Sequence, residues 1–498
     1  MANKSAGFQW LKEHFNLHRY TLTHCSYIGN NESIELTSKG NVEQIYGRKY
    51  ALIDDTPLLH IEFALKYDDL NLDFLKTVFE SILVIEIATY IESSPTSKYA
   101  RKIGFLYEFL TGKQLTLEKP ISGNYTDLLD AGKYITGHTV KNNRWRINDN
   151  LLGTQNYCPI VRRTKQMEEL LSLNIPEKIE RLRKEFSPEI FRRAANYLYS
   201  KETRSSFEIE KEKPSADRME KFITLLSKAG TEKTDQILDE NRLVQLQNVI
   251  VDPRFAATSF RDYQNFIGQT LPNYQDFIHY ICPPPVYVHS LMQGLKECSS
   301  KTEGINSEVR AAVIAFGFVF IHPFEDGNGR IHRFLIHDVL VYDGVVPDGL
   351  IIPVSAHMLN NIKDYDNNLE KYSKPLMQRV KYTKKDSGEL EVVNLPEVEG
   401  YFRFPDLTDQ CIYLAQTIHA TLEEDIPDEL LFIQRYDETK RAFQNVVDMP
   451  DKDINMMIVF LHQNKGVLPK KRRQNFSKLT DEEVKKMQEV YNQIFQLN

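Results

Sequence analysis

The chain has 498 residues, of which 41% are hydrophobic and 26% are charged, and its net charge is −7. This length exceeds one ordinary core and predicts two or three domains, and the composition is typical of a soluble globular protein. The small negative charge gives no general reason to expect nucleic-acid or membrane binding. Five scattered cysteines without a CxxC pair indicate neither a zinc knuckle nor a disulfide framework, and the amino terminus lacks a signal-peptide pattern. These features favour a cytoplasmic protein.

The first part of the chain, residues 1–160, is predicted to be a small mixed α/β domain. A β-like run over Tyr50–Asp54 accompanies a helical stretch over Leu70–Tyr90, in which apolar residues repeat with the period of a helix. We expect these apolar residues on one helix face: Phe74, Leu75, Val78, Phe79 and Leu83.

The remainder is predicted to be mainly α-helical, with a helical-bundle core over residues 161–390 and a helical carboxy-terminal domain over residues 391–498. Apolar periodicity and helix-start residues indicate helices in the following segments: from Ile175 onward, Ile190–Leu198, Ala216–Leu226, Val286–Leu295, Val309–Ile321, Gly329 to about Tyr342, and Ser355–Lys371.

A segment that ends in three prolines, Phe260–Pro285, is predicted to form a β-hairpin. Gly268 and Pro272-Asn273 favour turns. Three residues alternate as in an edge strand, namely Phe277, His279 and Ile281. An exposed edge could pair with a target segment by strand addition, although an ordinary packed hairpin explains the same residues.

The most informative segment is His322–Arg333. The turn Gly327–Gly329 permits a left-handed backbone and directs successive N–H groups toward one point, which forms an anion nest at the start of a helix. Arg330 and Arg333 are three positions apart, so they share a helix face and can reach phosphates beyond the nest.

Three further residues of this segment suit nucleotide chemistry. A carboxylate such as Asp326 beside a phosphate site commonly holds Mg²⁺, and a neutral imidazole at His322 could accept a proton from a hydroxyl. Phe324 between them would fix the loop to the core. Singly, His322 could be a packed or capping residue, Asp326 a turn residue and the two arginines a solvated face. The combination at fixed spacing favours transfer from a nucleotide to an alcohol.

The segment resembles the signature of the Fic family, HPFx[D/E]GNGRxxR. It matches every fixed position of that signature: His322, Pro323, Phe324, Asp326, Gly327, Asn328, Gly329, Arg330 and Arg333. The resemblance covers roughly residues 190–380. It implies an α-helical enzyme that typically transfers AMP from Mg-ATP to a Ser, Thr or Tyr hydroxyl of a protein.

The resemblance also implies roles for individual residues. His322 would deprotonate the target hydroxyl, and Asp326 would bind Mg²⁺. The turn would hold the α- and β-phosphates, the two arginines would clamp the β- and γ-phosphates, and Tyr365 would lie near the adenine. The implied nucleotide-binding residues are Phe324, Asp326, Gly327, Asn328, Gly329, Arg330, Arg333 and Tyr365.

Family branches differ in the group that they transfer. The related Doc toxins transfer a phosphate and have Ala and Lys where this chain has Gly327 and Gly329. The intact GNGR sequence therefore favours nucleotidyl transfer. Phosphocholine and UMP transfer also occur in the family, so ATP as the donor is an inference.

A second resemblance concerns family members with an intramolecular inhibitory helix, which carry [S/T]xxxE[G/N]. Ser206 and Glu210 have this spacing, and by analogy Glu210 would pair with Arg333 and block the γ-phosphate. In some members the same glutamate also supports removal of AMP from the target.

Lys211 departs from the inhibitory pattern, because the family has Gly or Asn there. Those residues suit the left-handed position that ends a helix, whereas a lysine suits it less, and the helix could instead continue toward Pro214. A solvated, charged helix face formed by Glu208, Glu210 and Glu212 is the alternative interpretation.

Two function classes follow. One is an autoinhibited protein adenylyltransferase that modifies a target protein or itself. The other is an ATP-sensing regulator that binds nucleic acid or a partner without transfer. The basic run Lys470–Arg473 would suit a nucleic-acid module, but an exposed turn explains it better, because its surroundings are acidic as often as basic. Internally inhibited Fic proteins often self-associate, which suggests a homodimer.

Overall fold

The structure, a computed structural model, describes residues 3–37, 41–270, 276–347, 349–385 and 389–496. Helices dominate these residues, and the strands among them form four small sheets. The prediction of a mainly α protein with a small mixed α/β amino-terminal part is confirmed. None of the helices in these ranges has the length and hydrophobicity of a membrane-spanning segment.

The amino-terminal part combines small sheets with five helices. Its strands are β1 (Lys4–Ala6), β2 (His24–Gly29), β3 (Ser33–Leu36), β4 (Val42–Gly47), β5 (Thr126–Asp127), β6 (Val140–Asn142) and β7 (Ile147–Asp149). Its helices are α1 (Gly7–His14), α2 (Pro57–Tyr67), α3 (Leu72–Glu80), α4 (Val84–Ser93) and α5 (Lys98–Thr111). The sheets have the orders β1-β2-β4-β3 and β5-β7-β6, and the pairs β2–β4 and β5–β7 are parallel.

Two local predictions for this part are wrong. Residues 50–54, all of them described, contain no strand, because Arg48–Tyr50 forms a 3₁₀ helix after β4. The predicted helix over residues 70–90 is divided into α3 and α4. Leu83 precedes α4 and is 66% exposed, whereas the other four apolar residues of that face are buried. The chain changes direction at Ser81-Ile82, so the apolar period does not continue across it.

The remaining helices build the central and carboxy-terminal parts. They are α6 (Lys165–Leu171), α7 (Ile175–Glu185), α8 (Pro188–Ile209), α9 (Ala216–Leu226), α10 (Thr234–Ile237), α11 (Glu240–Ile250), α12 (Pro285–Lys301), α13 (Ser307–Ile321), α14 (Asn328–Tyr342), α15 (Val354–Asn360), α16 (Ile362–Met377), α17 (Leu395–Arg403), α18 (Thr408–Ala420), α19 (Ile426–Val446), α20 (Asp451–Gln463) and α21 (Asp481–Phe495). Two hairpins interrupt them, β8 (Phe266–Thr270) with β9 (Asp276–Ile281) and β10 (Tyr382–Lys384) with β11 (Leu390–Val392). The predicted helix over 355–371 is divided at Asn361.

The described residues form three main hydrophobic cores, one in each successive part of the chain. One lies in the amino-terminal part, one extends through the central helices as far as Leu430, and one joins α20 and α21 to the end of α19. Helix α13 is buried along its whole length and packs against α12, α14 and α18. The 22-residue helix α8 packs against α9, α14 and α15. A rigid α13–α14 pair therefore carries the motif, and α8 lies across it.

Candidate active site

The loop between α13 and α14 is closed by its own side chains. The Asn328 side chain donates to the Phe324 carbonyl at 2.9 Å and accepts from the Phe324 N–H at 3.0 Å. Phe324 is 1% exposed and packs against the rings of Phe260 and Phe318. Gly327 has φ +89°, which a glycine adopts without strain. The loop is thus fixed to the core from both ends, as the sequence predicted for Phe324.

His322 ends α13 with a left-handed backbone, at φ 54°. Its Nδ1 is 3.1 Å from the Val319 carbonyl, so Nδ1 carries the proton and Nε2 keeps a free lone pair. Burial is the main cause that lowers the pKa of His322 to about 4, and the nearby positive charge of Arg261 acts in the same direction. The carboxylates of Glu210 and Asp326 oppose this shift. At neutral pH the imidazole is therefore an uncharged proton acceptor.

Arg261 is a site residue that the motif did not reveal. It is 4% exposed, and its guanidinium donates to the carbonyls of His322 at 2.7 Å and Pro283 at 2.7 Å. It also donates to Tyr263, and its backbone N–H donates to the Pro323 carbonyl at 2.8 Å. This buried cation joins the end of α13 to the base of the β8–β9 hairpin. Arg261 lies about sixty positions before the motif, so the motif sequence alone does not indicate this contact.

Arg333 is 1% exposed and is held by α8. Its Nε donates to Ser206 Oγ at 2.9 Å, and its Nη2 donates to the Ser206 carbonyl at 2.7 Å and to Glu210 Oε1 at 2.8 Å. Burial lowers the pKa of Arg333, but Glu210 and Tyr365 raise it more, so the net direction is upward. The structure therefore brings together the two residues that the inhibitory spacing singled out and the arginine proposed as their partner.

The Glu210 carboxylate lies over the nest as well as on Arg333. A Cβ built on Gly329 would be 2.1 Å from Glu210 Oε1 and 3.3 Å from Arg333 Nη1. An anionic oxygen thus occupies the space directly above the glycine at the start of α14, where the helix dipole and free N–H groups favour negative charge.

Arg330 is also paired with carboxylates. It is 1% exposed, and its Nη2 lies 2.6 Å from Asp326 Oδ1 and 2.8 Å from Glu212 Oε1. Its Nη1 donates to Glu212 Oε2 at 3.0 Å. Both arginines of the motif therefore face acidic side chains from the turn that follows α8, and neither forms a solvated helix face.

Lys211 adopts the left-handed conformation that the family assigns to Gly or Asn. Its φ is 58°, and α8 ends at Ile209. The N–H of Glu212 donates to the Phe207 carbonyl at 3.1 Å, which completes a helix-ending turn. The alternative in which the helix continues toward Pro214 is therefore wrong. This turn reverses the chain and brings Glu212 back toward α14.

Asp326 is the motif carboxylate that could hold a divalent cation. Its side chain is 37% exposed, and its Oδ1 accepts from the Gly327 N–H and from Arg330. Among the described ranges, no three His, Cys, Asp or Glu side chains converge as a metal site. Mg²⁺ would therefore need phosphate oxygens and water beside Asp326, and this partial ligand set is common for Mg²⁺ bound with a nucleotide.

Tyr365 lies in α16 and is 4% exposed. Burial raises the pKa of its phenol, and the charge of Arg333 opposes that shift. The residue is thus close to the Arg333–Glu210 pair. A place near the adenine remains a prediction.

The predicted hairpin is formed by β8 and β9, which pair antiparallel with an irregularity between Ile267 and Gly268. Phe277 is 52% exposed and His279 is also exposed, but Ile281 is fully buried, so the predicted alternation fails at the end of the strand. Asn265 Nδ2 donates to the Phe324 carbonyl at 3.2 Å, which fixes the hairpin base to the motif loop. The predicted turn Pro272-Asn273 lies outside the described residues.

Fold and site together define a helical domain in which a glycine turn at the start of a helix lies beside two buried arginines and an uncharged histidine. Residues 237–340 match the model of the Fic/DOC family, and this part of the chain is a Fic/DOC-family domain. The match is shorter than the 190–380 suggested by the sequence, and it leaves Ser206 and Glu210 outside.

The solved structures that are similar to the chain include two Fic proteins. A Fic family protein from Desulfovibrio desulfuricans G20 has 17% identity, covers 54% of this chain and 76% of its own, and has a TM-score of 0.37. A Fic-domain-containing signaling protein from Bacteroides thetaiotaomicron VPI-5482 has 17% identity, covers 52% and 96%, and has a TM-score of 0.33.

Proposed function

We propose that this chain is a protein adenylyltransferase that moves AMP from Mg-ATP to a hydroxyl of a target protein, and that Glu210 restrains it. The observation that carries the proposal is the Glu210 carboxylate above Gly329 and against Arg333. A carboxylate has occupied a pre-formed anion site in which the family signature would place phosphate. If Glu210 were only part of a solvated, charged helix face, its carboxylate would have no reason to lie above Gly329 and against Arg333.

The proposed chemistry uses the free lone pair of His322. Nε2 accepts the proton of a target Ser, Thr or Tyr hydroxyl while that oxygen bonds to the α-phosphorus of ATP. The bond from this phosphorus to the bridging oxygen breaks, and pyrophosphate leaves. The N–H groups of the nest and the guanidiniums of Arg330 and Arg333 stabilise the charge on the phosphate oxygens. Mg²⁺, held by Asp326 and phosphate oxygens, would neutralise part of that charge.

Autoinhibition follows from competition for one guanidinium. Arg333 Nη2 cannot donate to Glu210 and hold a γ-phosphate in the same place. While Glu210 is paired with Arg333, this arginine cannot bind the γ-phosphate. ATP therefore binds fully only when the Glu210 side chain turns away from Arg333. Because the carboxylate is 35% exposed, it has space to do so without unfolding α8.

The test compares labelling by ATP carrying its label on the α-phosphate or on the γ-phosphate. We expect Glu210→Gly to label itself or an added protein above the level of the wild type, with the α-label only. His322→Ala in the same background should abolish labelling while ATP still binds. Glu208→Gly is the matched control, because it lies on the same helical turn with an exposed side chain.

The outcomes separate the alternatives. If wild type and Glu210→Gly bind ATP but transfer no label to any protein in a lysate, the chain is an ATP-sensing regulator. If Glu210→Gly labels no better than Glu208→Gly, the inhibitory role is wrong and the transferase can remain. Loss of label from a modified target on adding the wild type, but not Glu210→Gly, would assign AMP removal to Glu210.

A further inference from the structure

The inhibitory turn carries a second carboxylate, Glu212, in contact with two arginines. Its Oε1 is 2.8 Å from Arg330 Nη2, and its Oε2 is 3.0 Å from both Arg330 Nη1 and Arg218 Nη2. Three N–H groups thus converge on one carboxylate. Two guanidiniums placed side by side suit phosphate oxygens as well as a carboxylate.

The two arginines are held in place independently of Glu212. Arg218, on α9, also donates to the Ile250 carbonyl through Nη2 at 2.7 Å and Nε at 3.2 Å. Arg330 is held by Asp326 and donates to the same carbonyl at 3.3 Å. Both guanidiniums lie 5.2 Å from the centre of the Phe207 ring. The pair would therefore remain together if the carboxylate moved away.

Glu212 has the most exposed side chain of these three residues. Its side chain is 30% exposed, whereas those of Arg218 and Arg330 are 16% and 1% exposed. It follows Lys211, whose left-handed backbone turns the chain back toward α14. Removal of the Glu210–Glu212 turn would uncover both anion positions at once, because the two carboxylates belong to one turn.

We propose that Arg218 and Arg330 form a second anion site, which Glu212 fills in the closed state and which takes terminal phosphate oxygens of the bound nucleotide in the open state. This inference rests on the proposed function and extends it. Arg218 becomes a nucleotide-binding residue outside the signature, and Glu212 becomes a second inhibitory carboxylate. A purely structural Glu212 would instead keep Arg330 in place for ATP.

The two interpretations predict opposite signs for Glu212→Gln. This variant keeps the side-chain shape and removes the charge. We expect isothermal titration calorimetry to show Mg-ATP binding about tenfold more tightly than in the wild type. AMP has no β- or γ-phosphate, so its affinity should change less than twofold. Glu208→Gln removes the same charge from an exposed side chain on α8 and should leave both affinities unchanged.

The role of Arg218 in nucleotide binding is tested in the Glu212→Gln background, in which no carboxylate occupies the proposed anion site. In the Glu212→Gln background, Arg218→Met should weaken Mg-ATP binding about tenfold and leave AMP binding unchanged. Combining Glu210→Gly with Glu212→Gln should tighten ATP binding beyond either change alone. If Glu212→Gln does not fold, Glu212→Ala removes the same carboxylate and should likewise tighten Mg-ATP binding with little change in AMP binding.

The results that overturn the inference differ from those that overturn the proposed function. Glu212→Gln that binds ATP no better than Glu208→Gln, or that gains equally for AMP and ATP, refutes the second site even if Glu210→Gly transfers label. Weaker ATP binding by Glu212→Gln assigns Glu212 a structural role. Absence of nucleotide binding by every variant refutes the site and the proposed function together.

Discussion

The pairing of Glu210 with Arg333 makes a prediction for stability that is independent of catalysis. Replacing Glu210 by Ala removes one 2.8 Å charge-assisted hydrogen bond from a guanidinium that is 1% exposed. Arg333 keeps both contacts with Ser206, so it is not left without partners. Such a bond contributes about 1.5–3 kcal/mol, and because Glu210 is one-third exposed we reduce the expected loss to about 1–2 kcal/mol.

Thermal unfolding measures this loss. For a cooperative unit of 150–250 residues, each kcal/mol lowers Tm by about 2–4 °C, so Glu210→Ala should melt about 2–8 °C below the wild type. Glu208→Ala should stay close to the wild type, because its exposed side chain changes little on unfolding. Mg-ATP at one hundred times its Kd would then add about 2.7 kcal/mol to the stability of Glu210→Ala, which has Arg333 free to bind it. With Mg-ATP present, this variant should therefore melt above the wild type.

Two results would contradict this reasoning. If Glu210→Ala and Glu208→Ala melt alike without nucleotide, the ion pair contributes no stability and the closed state is not held by it. If Mg-ATP raises the Tm of the wild type as much as that of Glu210→Ala, the carboxylate and the nucleotide do not compete for Arg333.

Three further predictions follow from individual contacts. Gly329→Ala would place a methyl group 2.1 Å from the present position of Glu210 Oε1, so it should lower Tm as Glu210→Ala does. Calorimetry should nevertheless show no gain in ATP affinity, because the methyl group also blocks phosphate. With a His322 pKa of about 4, self-labelling should be constant above pH 6 and fall only as the imidazole gains a proton below pH 5. Arg261→Met removes a positive charge that lowers this pKa, so the acid limb should move to higher pH, and an unshifted limb in NMR titration of the imidazole would contradict this. Lys211→Gly removes a left-handed lysine at φ 58° and should raise stability by up to about 1 kcal/mol, measured as a higher Tm than in Lys213→Gly.

The acid sensitivity of the fold has a sign that can be derived. Burial lowers the pKa of His332 to about 3 and that of His322 to about 4, below the ordinary value of 6.5. These two histidines therefore bind more protons in the unfolded chain than in the folded chain between pH 6.5 and pH 4. Their contribution to stability is complete above pH 6.5 and is lost as the pH falls through this range.

Helix positions in the central part were largely predictable from sequence. Ala216–Leu226 was predicted with the bounds that α9 has, and Val309–Ile321 differs from α13 by two residues. These helices have strong local signals, namely an apolar period and a capping residue at the first turn. Prediction failed where two helices follow each other without a break in the apolar pattern, as at Leu83 and at Asn361, because an apolar pattern that continues across a helix end does not mark that end.

The sequence alone determined the chemistry of the motif loop. His322, Asp326, Gly327 and the two arginines are within twelve positions, so the end of one helix and the start of the next fix their mutual placement. Only the tertiary structure decided what faces them. Arg261, Arg218 and Glu212 are about sixty to one hundred and twenty positions from the motif, and they meet it because α8, α9 and the hairpin pack on the α13–α14 pair. Side-chain charge can be read in a sequence, but the partner of a buried charge is set by which helices bury it.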